Sequence, residues 1–245
     1  MNRSRRVLLI IGSPKRLQSV SASLGAYLLE QLERRGFSGE TVSIQRTFTR
    51  AQGFRASALD KPSDESWLTL DNADLVVLSF PLYIDSIPAP VIKAMEHIAD
   101  RGRSNASKEQ RLMAMVNSGF PEPCHSDTAL AICRRFARDA GFLWTGGVAV
   151  GGGGALRPER LQNQGGMARN AMRALESAAE ALADGKTAEE LGVDRSVKTL
   201  IPAWAYVLAG NAYWKKRARR HGVRAGLDAR PYLEGSECQD ADAHS

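Results

Sequence analysis

Gly12-Ser13-Pro14-Lys15-Arg16-Leu17-Gln18-Ser19-Val20-Ser21-Ala22-Ser23 is dense in hydroxyls and opens a helix. Free backbone N–H groups at a helix N-terminus attract anions, and hydroxyls add neutral donors. A terminal phosphate asks for such a set, several neutral donors converging on a small dianion. An ordinary Ser N-cap would account for one of the serines. Four serines with Lys15 in one loop go beyond a cap, so phosphate binding is the preferred reading. Two other phosphate motifs are missing: the chain has no G-x-x-x-x-G-K-[ST], and no G-x-G-x-x-G follows the first strand. The run Gly151 to Gly154 comes after the fifth strand, the wrong place for that second fingerprint.

Two further loops offer binding groups. Phe80-Pro81-Leu82-Tyr83-Ile84-Asp85-Ser86-Ile87-Pro88 suits a backbone lying against a flat aromatic ring, with Tyr83 beside it, and a Pro-rich turn is the plain alternative. Asn117-Ser118-Gly119-Phe120-Pro121-Glu122 has a glycine that lets the backbone approach a ligand closely. His125 follows, either as a proton shuttle or ring-edge contact, or as an exposed residue near a helix start. Cys124 lies beside it as a candidate reactive thiol.

These loops need elements to hold them. Val7 to Ile11 and Leu75 to Leu78 are solid apolar runs, suited to parallel strands buried on both faces. Leu112 to Val116 and Phe142 to Val150 read as two more, and a weaker strand falls around Thr41 to Gln45. Helical spacing appears in Leu24, Tyr27, Leu28 and Leu32, a helix that Gly36 ends. It recurs in Val91, Ile92, Met95, Ile98 and Ala99, with Pro88 and Pro90 in the first turn. Ala129, Ile132, Cys133, Phe136, Ala137 and Ala140 form a third apolar stripe, and Ala168 to Leu182 a fourth. Residues 46 to 63 show no period and read as a loop. The alternation predicts an α/β fold: a five-stranded parallel sheet of order 2-1-3-4-5 with helices on both faces. In such a sheet ligands bind outside the carboxyl ends of the strands, where the three loops lie.

The bulk numbers exclude some classes. With 43% hydrophobic and 24% charged residues over 245 positions, the chain can build one sizeable core. Residues 1–195 are expected to form the main domain and 196–245 a helical extension and tail. Basic residues are spread out except near the C-terminus, so the net charge of +6 does not point to nucleic acid. Three cysteines without a close C-x-x-C pair argue against a disulfide framework and a structural zinc site, and no metal is expected. Cys133 falls on a core stripe and Cys238 in the polar tail. The five-residue apolar run after Arg3, Arg5 and Arg6 is shorter than the roughly 7–15 residues of a signal peptide. No run reaches the roughly 18 apolar residues of a span, so a cytoplasmic location is expected.

In these loops the chain resembles the NADPH-dependent FMN reductase branch of the flavodoxin-like superfamily. The resemblance rests on Gly12-Ser13-Pro14-Lys15 with Ser19 and Ser21, and on Ala73-Asp74 running to Pro81-Leu82-Tyr83 and Ser86-Ile87-Pro88-Ala89-Pro90. Asn117-Ser118-Gly119-Phe120 and the glycines after strand 5 complete it, over roughly residues 5 to 155. It implies non-covalent FMN, with Ser13, Lys15, Ser19, Ser21 and the Val20 N–H at the phosphate. Pro81, Leu82, Tyr83 and Ile84 would line the isoalloxazine, and Asn117, Ser118 and Gly119 would edge it. The implied activity is electron transfer from NADPH or NADH through FMN to a small acceptor such as a quinone or free flavin. The flavin carries that chemistry, so no catalytic residue is singled out. A flavodoxin-type electron carrier is the alternative, though carriers usually dock through strongly acidic surfaces and this chain is basic.

The extension supplies the last expectation. Leu200 to Ala209 is apolar and carries Trp204 and Tyr206; Tyr213 and Trp214 follow, and Lys215, Lys216, Arg217, Arg219, Arg220 and His221 come next. From sequence the preferred reading is a helix docked on protein, with a homodimer as the place. The alternative is contact with an anionic membrane surface.

Overall fold

A computed structural model describes residues 4–44, 69–102, 109–186, 195–197 and 202–229. The chain divides into two compact units, Met1–Leu200 and Ile201–Ser245. In the first unit β1 (Arg5–Ile11) leads into α1 (Val20–Glu33) and β2 (Phe37–Ser43). Then come β3 (Leu75–Pro81), α2 (Ala89–Gly102), β4 (Gln110–Asn117), α3 (Asp127–Asp139), β5 (Phe142–Val150), α4 (Arg169–Ala183) and β6 (Arg195–Val197). The second unit holds α5 (Ala203–Arg220). The strands form one parallel sheet of order β2-β1-β3-β4-β5-β6. The predicted order 2-1-3-4-5 is present, and β6 extends it by pairing Arg195 to Val197 with Val148 to Val150.

Period-two alternation splits the apolar strands between two cores. Val7, Leu9, Ile11, Leu75, Val77, Met113 and Met115 face α1 and α4. Leu8, Ile10, Val76, Leu78, Phe80, Leu112, Ala114 and Val116 face α2 and α3. Burial on both faces is why these strands read as unbroken apolar runs. Cys133 is fully buried in the second core, as its stripe predicts. Across the first face Tyr27 donates to Glu176 Oε1 at 2.5 Å, tying α1 to α4. Burial, then that bond, pushes the Tyr27 phenol up to about 12.

One strand departs from expectation. β2 runs Phe37–Ser43, not Thr41 to Gln45. It is an edge strand with four exposed residues in its middle, so its sequence carries little apolar signal. Phe37 anchors its start under the Arg5 guanidinium, 4.2 Å from the ring centroid. The predicted 46–63 loop and Cys238 lie outside the described residues.

Candidate functional site

Register fixes where the loops emerge. Ile11 pairs with Ser79 on β3, and Pro81 with Asn117 on β4, so the carboxyl ends of β1, β3 and β4 finish side by side. Gly12 closes β1 by donating to Ser79 O at 2.8 Å. A Cβ at Gly12 would lie 2.5 Å from Val91 Cγ2 and 2.8 Å from Phe80 Cβ, so only glycine fits there without a shift.

The first loop coils back before α1. Ser13 is buried; its Oγ accepts from the Lys15 N–H at 3.3 Å and its carbonyl from the Arg16 N–H at 2.9 Å. Lys15 is exposed. Ser19 is the N-cap, in extended conformation: its Oγ accepts from the Ala22 N–H at 3.1 Å and donates to Arg16 O at 2.7 Å. The Ser23 N–H goes to Ser19 O. Among the described residues this leaves the Val20 and Ser21 N–H groups as the open donors of the first turn. No acidic residue sits in that turn to oppose an anion.

Ser19 therefore fills the cap role, and its hydroxyl hydrogen is committed to backbone. The Ser21 hydroxyl is committed as well, donating to Asn117 Oδ1 at 2.6 Å. Ser79 Oγ in turn donates to Ser21 O at 2.8 Å. These bonds join β3, α1 and β4 at the strand ends. The donor set facing outward is thus more backbone than hydroxyl.

Asn117 O accepts from the Leu82 N–H at 2.9 Å, holding the β3 loop against β4. Ser118 is buried; its N–H donates to Val150 O, its Oγ accepts from the Phe120 N–H at 3.0 Å, and its carbonyl accepts from the Gly153 N–H at 2.6 Å. Gly119 is exposed, and a Cβ there would meet nothing within 4 Å. Pro81 and Leu82 are half-buried. Tyr83 and Ser86 exchange backbone hydrogen bonds around Ile84 and Asp85, whose φ values are 49° and 53°. Two positive φ values between paired residues are the pattern of a type I′ turn, usually built from Asn and Gly. Ile84 is β-branched and fully exposed there, so the turn holds strain that packing does not recover. Ile84→Asn should raise stability by about 1 kcal/mol, read as a higher midpoint in thermal unfolding; a lower midpoint would mean that Ile84 is not strained.

Sequence reasoning did not single out three features. Ser79 is a buried polar residue inside an otherwise apolar strand, and that interruption is its signal. Asp85 reaches His125, Oδ1 to Nδ1 at 3.3 Å, and His125 stacks on Phe120 with centroids 4.4 Å apart. Nothing local pairs those residues. Third, Leu17, Phe120 and Met167 join Tyr83 and Ile84, which the resemblance already places at the ring, as the exposed large apolar side chains described in the first unit. All five lie on connections that leave strand carboxyl ends. Exposed apolar side chains gathered at one edge mark a binding surface.

A family model described as flavodoxin-like fold matches residues 5–128, just over half of the chain. No curated protein matches. Among solved structures, RosB with its bound intermediate 8-demethyl-8-formylriboflavin-5'-phosphate is similar at TM-score 0.51 and 10% identity, over 77% of this chain and 84% of that one. Rubredoxin oxygen:oxidoreductase from Desulfovibrio gigas is similar at TM-score 0.50 and 13% identity, over 74% of this chain and 36% of that one. An FMN-dependent NADH-azoreductase from Bacillus anthracis gives TM-score 0.49 and 16% identity, over 73% and 99%.

Proposed function

From the premise that this chain belongs to the flavodoxin-like fold family, we propose that it is an FMN-dependent oxidoreductase taking electrons from NADPH or NADH and delivering them to a small acceptor such as a quinone or free flavin. The observation that carries this reading is the edge described above: open N–H donors beside a set of exposed apolar side chains, at the switch point of a doubly wound sheet. FMN is amphipathic in the same sense, with a dianionic phosphate and a flat apolar ring. The donor set fits the phosphate: the Val20 and Ser21 N–H groups, the positive end of the α1 dipole, and Lys15 in the same loop. Tyr83, Ile84 and Phe120 fit the ring, with Gly119 leaving room for close approach.

Bound FMN would supply hydride acceptance and onward electron transfer. This chain's residues do the rest. Backbone donors hold the phosphate, and the Ser79–Ser21–Asn117 hydrogen bonds fix the spacing of the loops. The exposed rim leaves one face open to donor and acceptor in turn. A single open face predicts parallel double-reciprocal lines when the FMN-loaded protein oxidises NADPH or NADH with a soluble quinone. Intersecting lines would mean that both substrates bind together. No oxidation of either nicotinamide would move the assignment to an electron carrier.

A further inference from the structure

The composition of α5 is divided along its axis. Residues 203–214 carry no charge and include Trp204, Val207, Leu208, Tyr213 and Trp214. Lys215, Lys216, Arg217, Arg219 and Arg220 then fill its C-terminal end, and Arg224 follows. No Asp or Glu occurs from residue 195 to 227. The helix has one buried residue, Ala218. Trp204 is 72% exposed, and Val207, Leu208, Tyr213 and Trp214 are exposed with it.

Trp204, Val207, Leu208 and Trp214 leave the helix within about 120° of one another, and Tyr213 leaves on the far side. An interfacial helix lies in the plane of a bilayer with such an apolar face in the headgroup–acyl boundary. A protein surface can cover the same face, so charge separates the two partners. A second copy of this chain carries a net +6 and repels a cluster of six cations, while a surface rich in anionic lipid attracts it. The edge-on pair Tyr213 and Trp214 sits where the apolar part meets the basic part, with the Arg217 guanidinium 5.6 Å from the Trp214 ring centroid. Aromatic rings at such a junction are characteristic of membrane–water interfaces. Among the described residues no helix is long and apolar enough to cross a membrane.

We propose that α5 is a surface anchor that holds this protein on anionic lipid bilayers, its rings in the headgroup–acyl boundary and its cations on lipid phosphates and carboxylates. This inference does not rest on the flavin reading, and it reverses the preference for a docked helix that the sequence alone suggests. It is tested by floating the full-length protein with vesicles of phosphatidylcholine, and with vesicles of phosphatidylcholine mixed with phosphatidylserine. Binding is expected to the mixed vesicles only, and to fall as salt is raised. Each cation near such a surface contributes about fivefold to partition. Changing Lys215, Lys216, Arg219 and Arg220 together to Gln should therefore lower partition at least about a hundredfold, with circular dichroism unchanged. Trp204→Ala should weaken binding without altering the salt dependence. Failure to bind, equal binding to both vesicles, or undiminished binding of the four-Gln variant would overturn the proposal. So would a dimer in light scattering that Trp204→Asp dissociates, if lipid binding is absent; the helix would then be a surface for a second copy.

Discussion

Val20→Pro should weaken FMN binding about 10- to 150-fold while leaving the fold intact. The expected size follows from one hydrogen bond to a charged group, worth about 1.5–3 kcal/mol. Proline removes the Val20 N–H, one of two open donors in the first turn of α1, and changes little else. Val20 is the first helical residue, where proline is tolerated and its fixed φ suits the helix. Ser19 before it is extended, at φ −141° and ψ 157°, which is the conformation proline requires of its predecessor. Val20→Ala is the control: it keeps the N–H and trims the side chain. Fluorescence titration of FMN against the three proteins reads the result. Equal affinity in the proline variant would place the phosphate elsewhere.

Gly151→Ala should lower stability by about 2–3 kcal/mol and loosen FMN as well. A Cβ at Gly151 would lie 2.4 Å from Pro121 O and 3.0 Å from Pro121 C, which are backbone atoms. No rotamer change relieves that contact, so the β4 loop must move. Moving it disturbs the Gly152 N–H bond to Phe120 O and the Gly153 N–H bond to Ser118 O. Those bonds carry Phe120 and Ser118, which belong to the proposed ring site. For a chain of this size the change lowers the unfolding midpoint by roughly 4–12 °C. Gly119→Ala is the contrast, since a Cβ there meets nothing within 4 Å; its midpoint should barely change. A Gly151→Ala protein as stable as the parent would show that the two loops are not packed as described.

These two cases show which parts of the fold and site the sequence makes legible. β1 and β3 are plain because both faces of each strand are buried, so the whole run is apolar. β2 is blurred because an edge strand keeps four exposed residues in its middle. β6 is invisible because three residues, Arg195–Val197, carry no periodicity. The site loops are legible by position, since they follow strand ends. Their internal chemistry is not. The serines after β1 look like phosphate donors in one dimension, yet Ser19 spends its hydroxyl on Arg16 O and Ser21 on Asn117, ninety-six positions away. The glycines after β5 look like part of a binding motif, yet Gly151 is glycine because the Pro121 carbonyl lies against it. The Ser19 bond is local to the helix cap, but the Ser21–Asn117 and Gly151–Pro121 contacts join distant segments, which no local pattern encodes.

Under the proposed function the first turn of α1 holds the phosphate of a flavin nucleotide. Equilibrium binding of FMN and of riboflavin to the flavin-free, full-length protein tests it most directly, because the two ligands differ only in that phosphate. One FMN per chain is predicted, bound at least about tenfold more tightly than riboflavin, since the phosphate accepts at least one charge-assisted hydrogen bond. Equal affinity for the two flavins, or no binding of either, would contradict the account.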